Sequence, residues 1–161
     1  MIFDQIIIPG QVISKKRGHR IIKIGNFTKI LPSKAFTDYE KMAKLFLASR
    51  KLMVKEYPVF VHFQFVMSDN RTFDLSNMAQ GPQDILTEMG IMPDDNYRYC
   101  IPVFFGKYSG VFKDKENPRL TVTFTDVEEL RKPEFLKGEE QILDNYRKLA
   151  EKAEKARKKR Q

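Results

Sequence analysis

Hydrophobic and polar positions along this chain follow two periods. Val59 to Met67 (VFVHFQFVM) is dense in β-branched and aromatic residues, with polar His62 and Gln64 at alternate positions, and predicts a strand. Residues 5–8 (QIII) predict a short buried strand broken by Pro9-Gly10. Tyr97 to Phe105 and Leu120 to Thr125 (LTVTFT) predict two more, joined by a polar loop over 106–119. The stretch from Val12 to Lys29 predicts a loop, then a strand or hairpin arm around Ile21–Ile24 with a turn at Gly25-Asn26.

Helical spacing appears in three places. Ser33 is placed to cap a helix in which Tyr39, Met42, Ala43, Phe46 and Leu47 recur every three or four residues. That pattern continues through Leu52 and Met53 toward Tyr57-Pro58. A second helix is expected from about Pro82 to Met89, stopped by Gly90, because proline is welcome in a first turn and costly in a helix interior. Residues 139–161 predict a charged helix with Ile142, Leu143, Tyr146, Leu149, Ala150 and Ala153 on one side. The order of elements implies a mixed α/β or α+β fold, a small mixed sheet with helices packed against it. One domain would span 1–138, and 139–161 would form a charged C-terminal helix or tail.

Composition narrows the classes. At 161 residues and 42% hydrophobic, the chain has the length of one domain and enough apolar material for a core. No apolar run approaches the length of a membrane span. The start, MIFDQIII, carries an acid where a signal peptide carries bases, so a cytoplasmic protein is expected. A single cysteine, Cys100, excludes an internal disulfide or a Cys-rich zinc site, and it reads as buried and inert.

Charge is unevenly spread. Residues 1–34 hold seven bases and one acid, and residues 145–161 hold eight bases and two acids. The middle, 35–144, holds 14 bases and 18 acids. Basic ends suit a polyanion, because each phosphate neutralised by Lys or Arg releases counterions. Lys15-Lys16-Arg17-Gly18-His19-Arg20 is the densest basic stretch and reads as a loop that grips phosphates, or as an ordinary solvated loop. In the acidic middle, Asp74 is followed 21 residues later by Asp95, with Asp94 beside it. If an intervening helix returns the chain, these carboxylates converge as oxygen ligands for a hard cation such as Mg²⁺. From spacing alone, Pro93-Asp94-Asp95-Asn96 reads first as a plain solvated turn.

The combined blocks Phe73-Asp74-Leu75-Ser76-Asn77, Asp84-Ile85-Leu86 and Gly90-Ile91-Met92-Pro93-Asp94-Asp95 resemble the centre of the RusA family of phage-type Holliday-junction resolvases. That family's pattern runs roughly D-L-D-N, a lysine three residues on, D-a-L, G and D-D. Ile8-Pro9-Gly10, Lys15-Lys16-Arg17, Arg20 and Tyr39-Glu40 also fit, so the resemblance spans about residues 5–100. It implies a small homodimer that binds four-way DNA junctions and cuts them with Mg²⁺, or Mn²⁺, in recombination and repair, of phage or mobile-element descent.

By position, Asp74 matches the first metal-binding aspartate and Asp95 the last, with Asp94 assisting. Asn77 matches the motif asparagine, and Lys15, Lys16, Arg17, Arg20 and Asn77 would contact DNA. Two positions depart. Ser76 stands at the second aspartate and Gln80 at the lysine, so the catalytic set reads Asp74, Ser76, Gln80 and Asp95. These departures raise a second expectation, a RusA-like protein that recognises junctions without cutting them. A third, blander one is a protein-interaction domain docking through its C-terminal helix.

Overall fold

In the computed structural model, residues 1–51, 56–135, 147, 148, 151, 155 and 158 are described. Four strands stand in the order β1 (Ile2–Pro9), β7 (Arg119–Thr125), β4 (Val59–Met67) and β5 (Cys100–Val103), with β6 (Gly110–Lys113) also on β4. Strand β7 runs antiparallel to both neighbours, pairing Val122 with Ile6 and with Phe63. Both β5 and β6 run parallel to β4, on its same side, one after the other. Val59 pairs with Cys100 along the first half and Gln64 with Gly110 along the second. The fold is therefore mixed α+β, with a five-strand mixed sheet and a separate small hairpin.

The period-two pattern of β4 decides which face is dry. Val59, Val61, Phe63, Phe65 and Met67 join the main core, together with Ile6 and Ile8 of β1 and Leu120, Val122 and Phe124 of β7. Helices α1 (Lys34–Leu47) and α2 (Leu75–Glu88) cover this face with Tyr39, Ala43, Leu47, Met78, Ala79, Ile85 and Leu86. The alternate face is buried too. His62 is fully inaccessible, bonded at 2.9 Å to Thr125 Oγ1 and packed edge-on against Tyr108 and Phe135. Its cover is made by the β5–β6 connection, α3 (Val127–Arg131) and the 3₁₀ turn Pro133–Phe135.

Several expectations are corrected. The first helix begins at the Ser33 cap, whose Oγ accepts from the Phe36 amide at 3.1 Å, but it ends at Leu47. Phe46, expected on its apolar side, is exposed, whereas Phe36 is buried. Leu52, Met53 and residues 139–146 lie outside the described residues, while described positions 147, 148, 151, 155 and 158 are helical. The strand expected over Tyr97–Phe105 covers only Cys100–Val103, because Tyr97–Tyr99 form a turn. The supposed polar loop 106–119 contains β6, and Gln5 is exposed within a β1 longer than expected.

The largest correction concerns α2, which is continuous from Leu75 and carries Gly81-Pro82 in its middle. Proline there removes the bond that the Met78 carbonyl would accept. Packing explains why it is tolerated. Gly81 and Pro82 are buried, and a Cβ on Gly81 would sit 2.6 Å from Cε2 of Phe36. The missing side chain is what lets α1 rest on α2. At its far end α2 stops as expected, in a Schellman motif: Gly90 has φ +66°, its amide donates to Thr87 O, and the Ile91 amide donates to Leu86 O.

Candidate nucleic-acid interface

Helix α2 opens at an extended residue, Asp74, whose carboxylate satisfies the helix's first free amides. Its Oδ1 accepts from the Ser76 amide at 2.9 Å, the Asn77 amide at 3.2 Å and the Ser76 hydroxyl at 2.6 Å. All three bonds fall on Oδ1, which leaves Oδ2 outside the cap. The Ser76 hydroxyl bond first, then the Asn77 amide and the nearby Lys16 charge, hold the Asp74 carboxyl below the usual range.

Asp74 borders a cavity of about 520 Å³ between the head of α2, the end of β4 and the loop after β1. Val12, Ile13, Met67, Phe73 and Met78 give it an apolar floor. Lys16, Arg17 and Arg71 bring exposed cations to it, and Asn77 lines it with an amide. Phe73, partly buried, packs edge-on against Phe65 while forming part of this floor.

Arg71 was not foreseen from the sequence. Asp69 grips its guanidinium through Nε at 2.8 Å and Nη2 at 2.5 Å, which holds it in the turn that leaves β4. The pattern Asp69-x-Arg71 directly after a strand was the signal available. Hydrogen bonding to Arg71 holds the Asp69 carboxyl below its ordinary range and raises the guanidinium in return.

The remaining candidates are distributed as follows. Lys16 and Arg17 reach the cavity, but Lys15 does not line it and pairs with Asp84 Oδ2 at 2.5 Å. Arg20 begins the hairpin, where its Nε donates to the Pro32 carbonyl at 3.0 Å. Gln80 is half-buried along α2 and does not line the cavity. Cys100 is buried as expected, and burial pushes its thiol up to about 11.

Asp94 and Asp95 follow the Gly90 reversal. Asp95 sits above the usual carboxylate range, through burial first, then its hydrogen bond with Asp94 and the charges of Asp84 and Asp94. For Asp94 burial pushes upward, but hydrogen bonds from Asn96 and Asp95 outweigh it and the carboxyl ends below its usual range. Asp84 lies ten positions along α2 from the Asp74 cap, an axial distance of about 15 Å. Asp74 thus interacts with Lys16, and Asp95 with Asp94 and Asp84. Among the described residues, no group of three or more His, Cys, Asp or Glu side chains is arranged to hold a metal ion.

The donor chemistry nevertheless suits a hard cation. Every candidate ligand is an oxygen, and the like charges around Asp95 form a negative surplus that a cation would relieve. Mg²⁺ binds through only one or two carboxylates, with water and substrate phosphate completing its shell. No family model matches this chain, and no curated protein matches it either. Among the described residues no helix is long and apolar enough to cross a membrane.

Proposed function

We propose that the protein is a RusA-like, divalent-cation-dependent endodeoxyribonuclease that acts on branched DNA such as a four-way junction. The observation carrying this reading is the cavity at the head of α2, where the Asp74 carboxylate stands among the exposed cations Lys16, Arg17 and Arg71. Cations around a carboxylate suit a phosphodiester brought against an acidic centre: the bases hold the flanking backbone, and the acid serves the reacting phosphate. The exposed head of α2 adds the positive end of its dipole on the same side.

Asp74 and Asp95 would each offer a carboxylate oxygen to Mg²⁺ or Mn²⁺, with water and the substrate phosphate filling the rest of the shell. When bound, the ion supplies an activated water and stabilises the leaving oxygen in phosphodiester hydrolysis. Lys16, Arg17 and Arg71 orient the backbone, and Asn77 offers an amide to a phosphate or sugar oxygen. The Ser76 hydroxyl holds Asp74 Oδ1 in place. A four-way junction presents two equivalent strands, so a two-fold homodimer is the assembly that cuts both. A DNA substrate in recombination or repair assigns the protein to the cytoplasm.

The test is a labelled four-way junction incubated with the protein in Mg²⁺ or Mn²⁺, beside Asp74→Asn and Asp95→Asn. Cleavage by the parent and its loss in both variants is the expected result. Absence of junction binding at low salt would end this reading.

A second reading, recognition without cleavage, draws on one specific observation: the partner of Asp74 is the hydroxyl of Ser76, a neutral group where a second carboxylate would complete a stronger cation site. On that reading the parent binds junctions but leaves them intact, and Ser76→Asp with Gln80→Lys gains cleavage.

A further inference from the structure

The hairpin β2 (Arg20–Ile24) and β3 (Phe27–Leu31) stands apart from the main sheet. Only Ile22 and Leu31 of its ten strand residues are even half-buried. Phe27 is 81% exposed, Ile21 69%, Ile30 65% and Ile24 61%. A lone two-stranded hairpin is marginal in water, and one that shows four large apolar side chains is built to be covered.

Charge indicates by what. From Lys15 to Lys34 the chain carries seven bases and no acid. A second copy of this arm would set like charges against each other, whereas a nucleic-acid backbone neutralises them. The shape agrees, because the major groove of DNA admits a two-stranded β-ribbon. Five residues per strand give a reach of about 17 Å.

The register orders the side chains. Ile24 pairs with Phe27 directly across the Gly25-Asn26 turn, at the tip. Gly25 at φ +59° makes the turn tight. Arg20, Ile22 and Ile24 share one face with Leu31, Lys29 and Phe27, so that bases lie behind an apolar tip. The base of the arm joins the cavity on both sides, since Arg17 precedes it and Ser33 follows it, and both line the cavity.

We propose that the β2–β3 arm is a DNA-distorting element, which grips the backbone through Arg20 and Lys29 and presses Phe27 and Ile24 against an unstacked base step. This rests on the DNA reading above and adds a source of branch selectivity. Apolar wedges at kinked steps must disrupt stacking in a duplex, whereas a branch point offers steps already loosened.

The experiment uses the full chain, a four-way junction with 2-aminopurine at its centre, and a matched duplex. Wild-type protein should raise the junction's fluorescence. Phe27→Ser combined with Ile24→Ser should abolish that rise and weaken junction binding by about tenfold, while duplex binding changes by less than about twofold. Phe27→Leu, which keeps an apolar tip, should retain most of both signals. Lys16→Ala with Arg17→Ala should weaken binding to both DNAs. If the tip variant matches wild type in affinity and fluorescence while the cavity variant is impaired, the arm proposal fails and the DNA reading stands. If wild type binds neither DNA, both fail. If the tip variant only converts a dimer to a monomer in sedimentation, the arm is a self-association element and the proposal is overturned.

Discussion

The ammonium of Lys15 lies 2.5 Å from Oδ2 of Asp84, tying the basic loop to the middle of α2. Lys15 thereby differs from its neighbours Lys16 and Arg17, which reach the cavity. Because both partners are partly exposed, Lys15→Met should lower unfolding stability by no more than about 1 kcal/mol. It should also leave the salt dependence of DNA binding nearly unchanged. Lys16→Ala and Arg17→Ala should each reduce the slope of log affinity against log salt by about one. Equal slopes for all three variants would refute this division of labour.

Gly81 is the contact point between the two helices. Gly81→Ala puts a methyl 2.6 Å from the buried Phe36 ring and should cost about 1–3 kcal/mol in urea denaturation. Phe36→Leu alone should also destabilise, by leaving space. The double variant should be more stable than the sum of the two losses predicts, because the shorter side chain accommodates the methyl. Strict additivity would show that the two residues do not share this contact.

Stability should fall on the acid side in two windows. Burial holds His62 at about 4, against its usual 6.5, despite the attraction of Glu129. The unfolded chain therefore takes up the proton first, and stability is lost as pH falls from about 6.5 toward 4. Glu129 is held at about 2, below its usual 4.5, by Lys132 first and also by Tyr108 and the chain's amino group. Its contribution is complete above 4.5 and is lost as pH falls toward 2. Thermal melts across pH should show the upper window vanish in His62→Gln and the lower one shrink in Glu129→Gln. An unaltered profile in His62→Gln would contradict the assignment.

The like charges around Asp95 predict a stabilising effect of divalent cations. At about ten times its dissociation constant, a bound ion adds about 1.4 kcal/mol. That corresponds to a Tm rise of about 3–6 °C for a chain of this size. Asp95→Asn and Asp74→Asn should each reduce the rise, and Asp69→Asn should not. A shift of the same size in all variants would mean that the ion binds elsewhere.

What the sequence revealed was what is decided locally. Ser33 before a polar helix start, Gly90 after an apolar run and the alternation of β4 each act through their own backbone, so their elements appear where expected. The break expected at Gly81-Pro82 fails because its compensation is tertiary: Phe36, 45 positions away, fills the space that glycine leaves. His62 looks like a solvent-facing position, but β7 and the 3₁₀ turn cover it from more than 60 positions downstream. At the candidate site, Asp74, Lys16 and Arg17 were legible as residue types. Arg71 was not, because its importance lies in the anchoring by Asp69 and not in any run of bases.

The outer side of β4 is shared by two strands of four residues each, β5 and β6, set end to end with Phe63 between their registers. Long, flat margins invite other chains to continue a sheet, and short interrupted ones do not. This boundary offers an incoming strand no more than four consecutive residues in one line. Augmentation of the sheet at this margin would stop after four residues, so the eight-residue β1, at the opposite edge, is the longer template for an added strand.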